Sequence, residues 1–153
     1  MALKGDRYIE MTDISHFMNE AAEVGGCVSY STSGSGAALD QSANLVTYAA
    51  SSSGAVPVGI LLDPMVNYNL TRQHLNWHKL EKQVGDKVPV VTRGWVVTNM
   101  LVPGTSPTAG NTAYLGASGL LTPTFGSAVT STVGRFESKK NEDGYVKVWV
   151  NLP

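Results

Sequence analysis

Asp143-Gly144-Tyr145-Val146-Lys147-Val148-Trp149-Val150-Asn151-Leu152 decides the fold class. Val146, Val148, Val150 and Leu152 point one way, and Tyr145, Lys147, Trp149 and Asn151 the other, which is the period of a half-buried strand with a fixed register. Asn141-Glu142-Asp143-Gly144 ahead of it is a turn that tolerates left-handed backbone, so the strand is expected to pair with Val133 to Ser138. Upstream, Thr112 to Leu115, then Ser118-Gly119 and Leu120 to Thr122, read as a tight hairpin. Val88 to Val102 is apolar on both alternating sets, as in a strand covered on both faces, and Gly94 is expected to bend or bulge it.

The remaining strands are shorter. Cys27 to Ser31, Leu45 to Tyr48 and Val58 to Leu62 are β-branched and apolar runs bounded by turn residues. Residues 31–55 are rich in Ser, Gly and Ala and read as two loops around the Leu45 to Tyr48 strand. Two helices are expected. Asp13 to Val24 places Ile14, Phe17, Met18 and Ala21 on one helical stripe, with Thr12 or Asp13 as N-cap and Gly25-Gly26 as the stop. Leu70 to Gln83 gathers Leu70, His74, Trp77 and Leu80 near one face, although Asn67, Asn69 and Asn76 weaken the pattern. Met1 to Met11 reads as an extended arm, mobile unless tied to something such as a neighbouring subunit. The expected fold is therefore all-β: a compact antiparallel β-barrel or sandwich of short strands, with an N-terminal arm and one or two short helices. Residues 1–26 form the arm and a helix, and residues 27–153 a single barrel-like domain.

Composition bounds the function. A chain of 153 residues fits one domain and buries roughly 70% of its unfolded surface. Its 15% of charged residues lies below the roughly 25% usual for soluble domains, and its 16 glycines point to turns. A net charge of −1 gives no field to attract a phosphate backbone or an anionic bilayer, so neither nucleic acid nor membrane is expected as a partner. Cys27 is the single cysteine, so no intrachain disulfide forms and a reducing compartment suits the chain. No signal-type apolar region or membrane-length span is read, which places synthesis in the cytosol.

Catalytic constellations find no support. His74 and His78 have the i, i+4 spacing of a metal pair on a helix, but the glutamate of the zinc-protease pattern is missing, His16 is far away in sequence and Cys27 offers no paired thiolate. Both histidines read better as part of a turn or a subunit contact, and no metal or cofactor is expected. No Gly-x-Ser-x-Gly elbow exposes a nucleophile, and Ser33-Gly34-Ser35-Gly36 matches neither a P-loop nor a dinucleotide fingerprint. Two other features stand out. No Asp, Glu, Lys or Arg occurs from Gly94 through Gly134, which fits either a turn-rich β region solubilised by Thr, Ser and Asn or a surface covered by another protein. Trp149 and Tyr145 lie on the face of the last strand opposite its valines, where a loop, the arm or a partner subunit must cover them, and Trp95 sits in the doubly apolar strand.

Gly85-Asp86-Lys87-Val88-Pro89-Val90-Val91 leading to Gly94, Ala109-Gly110-Asn111-Thr112-Ala113-Tyr114-Leu115, Ser118-Gly119-Leu120, Val133-Gly134-Arg135-Phe136 and Asp143 to Val148 together resemble the small capsid decoration, or cement, proteins of tailed bacteriophages. The resemblance covers mainly residues 56–152; the 31–55 and 67–83 segments do not map onto it. It implies a compact β-barrel, often a homotrimer, that binds the outside of the expanded shell and stabilises contacts between major capsid subunits, in a virion assembled in the host cytoplasm. Candidate contact residues are Tyr8, Ile9, Phe17, His74, Trp77, His78, Trp95, Tyr145 and Trp149. Rival readings are a carbohydrate-binding or host-recognition module using Trp149 and Tyr145, a metal-dependent hydrolase on His74 and His78, and a head-completion or tail structural protein.

Overall fold

The computed structural model describes residues 2–31, 44–62, 68–69, 74–75, 81–82 and 87–153. Its strands are β1 (Leu3–Met18), β2 (Ala22–Glu23), β3 (Cys27–Tyr30), β4 (Leu45–Thr47), β5 (Pro57–Leu61), β6 (Tyr68–Asn69), β7 (His74–Leu75), β8 (Glu81–Lys82), β9 (Lys87–Thr98), β10 (Thr112–Leu115), β11 (Leu121–Thr122), β12 (Thr132–Phe136) and β13 (Val146–Asn151). The main sheet runs β1-β4-β3-β5-β9-β13-β12-β10-β11, and β1 also pairs with β9. That extra pairing closes β1, β4, β3, β5 and β9 into a five-stranded barrel with the remaining strands attached. Phe17 marks the point of closure, since it stands opposite Leu45 of β4 on one side and Lys87 of β9 on the other.

The hairpins expected from turn chemistry form. Gly144 takes φ +87 in the turn before β13, where the Asn141 side chain accepts from the Tyr145 amide at 2.8 Å. β13 then pairs with β12, placing Phe136 opposite Val148, and on its other edge with β9, placing Val148 opposite Val96. Val146, Val148 and Val150 are buried while Lys147 and Trp149 are half-buried, so the alternation in the sequence is the alternation in the fold. β5 and the first half of β9 are buried on both faces, as their continuous apolar runs require. Gly94 lies opposite Ile9 of β1, and the register slips between Ile9 and Met11, so the expected irregularity falls where the glycine is.

Asp13 to Val24 is not a helix. Residues 13–18 continue β1, and Ala22–Glu23 forms β2 against β8. From His16 to Met18 burial alternates with period two, since His16 and Met18 are buried and Phe17 between them is half-buried. The helical stripe is outcompeted by the long edge of β9, which pairs with β1 from Leu3 to Phe17. Local chemistry agrees, because Asp13 Oδ1 accepts from both the amide and the hydroxyl of Ser15, bonds that serve non-helical backbone. The expected arm is therefore tied to its own chain. The helix read over Leu70 to Gln83 is likewise replaced, where the chain is described, by strands: His74–Leu75 pairs with Tyr68–Asn69, and Glu81–Lys82 with β2. The rest of that segment lies outside the described residues. The only helical turn among the described residues is Ala117–Gly119.

One polar knot holds the β2–β3 turn against β4. The Tyr48 hydroxyl accepts from the Gly26 amide at 3.0 Å and donates to the Glu23 carbonyl, while the Glu20 carboxylate accepts from the Thr47 hydroxyl and the Tyr48 amide. Burial holds that hydroxyl above its ordinary range, so it stays a neutral donor. Tyr48→Phe leaves the amide and the carbonyl unpaired, and the expected loss is about 1–3 kcal/mol. It is read as a lower denaturant midpoint with unchanged slope.

Candidate interaction surface

The register of four strands builds a row across the outer face. Tyr8 of β1 stands opposite Trp95 of β9, Trp95 opposite Trp149 of β13, and Trp149 opposite Arg135 of β12. Facing partners share one side of a sheet, so these side chains lie on the side away from the valine core. Tyr8 is 52% exposed at the end of the row and the two tryptophans are half-buried. Lys147 Nζ lies 4.3 Å from the centre of the Trp95 ring and 3.2 Å from Glu137 Oε2, and Arg135 reaches the other Glu137 oxygen at 3.5 Å. Lys4 sits over the Tyr145 ring at 4.5 Å. The aromatic band is thus partly roofed by cations of its own chain.

β1 carries a second run of exposed apolar groups: Ile9 at 38%, Met11 at 60% and Ile14 at 46%. Met11 to Ser15, with Thr92, Leu152 and Pro153, line a groove of about 390 Å³. The two hydrogen bonds from Ser15, with His16 beside it, hold the Asp13 carboxyl there below the usual carboxylate range.

A different surface forms where two uncharged parts of the sequence meet. Residues 44–62, like Gly94 through Gly134, contain no Asp, Glu, Lys or Arg. The fold stitches them together: Ser52 Oγ donates to the Ala128 carbonyl at 2.7 Å, Ser131 Oγ to the Ala55 carbonyl at 2.9 Å, and the Ser118 amide to the Ala49 carbonyl at 2.7 Å. Val56, 56% exposed, and Phe125, 65% exposed with its ring edge-on to Tyr114, project from this uncharged end.

The structure thus brings Tyr8, Trp95 and Trp149 into one row, with Tyr145 just before the start of β13 and Ile9 next to Tyr8 in the chain. Phe17 is half-buried at the closure of the barrel, apart from that row. His74 lies in β7, while Trp77 and His78 lie outside the described residues. Reading by sequence missed Met11, Ile14, Val56 and Phe125. Charge depletion pointed towards Phe125, whereas Met11 and Ile14 had been absorbed into the arm and the helical stripe.

Among the described residues no group of three or more His, Cys, Asp and Glu could hold a metal ion, and no helix is long and apolar enough to cross a membrane. The Cys27 thiol is fully buried, and desolvation pushes its pKa up to about 12 despite a backbone hydrogen bond from Gly59. Burial and the raised pKa together predict that a thiol reagent at neutral pH reacts far more slowly with the native than with the unfolded protein. Reaction at similar rates would show that the β3 side of the core opens readily.

The fold is a small closed barrel with a buried thiol, an aromatic band and two exposed apolar surfaces. Comparison with protein families matches residues 7–151 to the structural cement protein family (E217 gp24/Pam3 gp6) of phages. The chain belongs to this family, and its role is structural: a phage virion component that stabilises the capsid. A search of curated proteins gives no match.

Proposed function

We propose that this chain binds the outer surface of the expanded capsid as a homotrimer, clamps neighbouring major capsid subunits together, and does so without catalysis, nucleic acid or membrane. The observation that carries the proposal is the presence of two exposed surfaces of unlike charge on one barrel. A clamp must touch at least two neighbours, and this barrel offers the β1 side, with Tyr8, Ile9, Met11 and Ile14, and the uncharged end, with Val56 and Phe125. The uncharged end suits contact between identical copies, because two such surfaces abut without repulsion, and charge depletion is the composition of interface cores. The β1 side carries Lys4, Asp6, Glu10 and Asp13, which can set orientation on a different protein. Three copies joined at the uncharged end would multiply modest contacts through avidity. Synthesis in the host cytoplasm completes the reading.

A stacking platform for sugars is less well supported, since Lys147 already occupies the Trp95 ring face. Electron cryomicroscopy of purified particles, with sedimentation of the free protein, tests the proposal. Clusters of three copies on the outer surface, and a trimer in solution, are the expected results. Absence from the outer surface would overturn the placement, and a monomer at particle-binding concentrations would overturn the trimer.

A further inference from the structure

β1 is sixteen residues long, yet only its last two described positions pair on the edge away from β9: Phe17 with Leu45 and Met18 with Val46. Before them, no strand among the described residues lies along that edge, and the contact there is the Asn44 side chain donating to the Ser15 carbonyl. From Tyr8 to Ile14 the strand is exposed on both faces except at Asp13, which is half-buried. An unpaired strand edge presents a row of free main-chain donors and acceptors, and natural proteins guard such edges with short strands, proline or bulges. β1 contains no proline and is long; its guards are Glu10, Asp13 and bulges, with register slips between Ile9 and Met11, Met11 and Thr12, and Asp13 and His16. The side chains of Met11 and Ile14 on this segment are exposed, 60% and 46%; the groove they line with Thr92 and Leu152 lies on the β9 side of β1 rather than on its free edge.

We infer that the β1 edge from Tyr8 to Ile14 receives an extended segment of the major capsid protein as an added strand, with side chains of that segment packed on the exposed Met11 and Ile14. This rests on the shell-binding role proposed above and names how the contact is made. Main-chain hydrogen bonds would supply affinity, and apolar contacts with Met11 and Ile14 would supply specificity. Charge chooses the occupant. Glu10 and Asp13 are the charged residues of the Tyr8–Ile14 window, so a neutral or basic apolar segment fits, whereas two β1 edges paired with each other would bring four carboxylates into one short ladder. Glu10 is already met by Arg93 at 3.3 Å and Asp13 by His16 at 3.2 Å, so the segment that fits is neutral or weakly basic rather than highly basic.

The test uses the full chain added to expanded shells of its own phage prepared without it, with amide hydrogen exchange read over β1 in the free and shell-bound states. The expected result is that amides within Tyr8–Ile14 slow by about tenfold or more on the shell. A second expectation is that Met11→Lys with Ile14→Lys lowers shell affinity by about tenfold or more while the thermal midpoint of the free protein stays within about 2 °C. If the wild-type chain fails to bind the shells, the shell-binding reading and this inference both fall. If it binds but β1 exchanges as fast as in the free protein, this inference alone falls. Protection of β1 in the free protein that grows with concentration would assign the edge to a second copy and overturn the capsid segment as its occupant.

Discussion

Truncation of Phe136 to alanine is expected to lower stability by about 3–5 kcal/mol, the range for removing a buried aromatic ring and leaving a cavity. Phe136 is the largest fully buried side chain among the described residues. It sits on β12 opposite Val148, and its backbone is held on the outer side as well, its amide donating to the Asn111 carbonyl and its carbonyl accepting from the Gly110 amide, both at 2.8 Å. A backbone pinned on two sides cannot collapse into the space left by the ring, which places the expected loss towards the upper part of the range. For a domain of this size that is a fall in thermal midpoint of about 6–20 °C. Phe136→Leu keeps most of the volume and should lose about 1–2 kcal/mol. A loss under about 1 kcal/mol for the alanine variant would mean that β12 does not seal the core.

The parts of the fold legible in the sequence are those where one strand carries its own pattern. β13 was legible because valines alternate with polar and aromatic residues over its whole length, and its turn was legible because Asn141 and Gly144 carry turn chemistry that needs no distant partner. β5 and the start of β9 were legible as continuous apolar runs, since burial on both faces removes the need for polar alternation. β1 was not. Ile14, Phe17, Met18 and Ala21 happen to repeat at helical spacing, and the edge that overrides this preference lies in residues 87–98, a contact that no local window contains. The same distance hid the candidate surface. Trp95 and Trp149 were each visible as apolar residues needing cover, but their facing positions, and that of Tyr8, follow from registers among strands far apart in sequence. The joining of residues 44–62 to Gly94–Gly134 depends on serine side chains whose partners, Ala128 and Ala55, are unremarkable in sequence.

Gly94→Ala is expected to cost about 3 kcal/mol or more, because two separate penalties meet at one atom. Gly94 has φ +144, a conformation that side-chain-bearing residues rarely adopt, and a Cβ built there falls onto the Tyr8 carbonyl. The residue lies between Ile9 of β1 and Val150 of β13, so neither neighbouring strand can move away without breaking a ladder. β1 is the strand that would yield, because its outer edge is paired only at Phe17 and Met18 among the described residues. Gly5→Ala is the control on the same strand: its Cβ would meet no atom within 4 Å and its backbone is not left-handed, so stability should change by no more than about 0.5 kcal/mol. The alanine at 94 should also redden tryptophan emission, since lifting β1 uncovers Trp95 beside Tyr8. Wild-type stability in Gly94→Ala would show that β1 does not lie against β9 at this point. The aromatic row and the strand edge offered to the capsid both depend on that seam, so both would have to be abandoned with it.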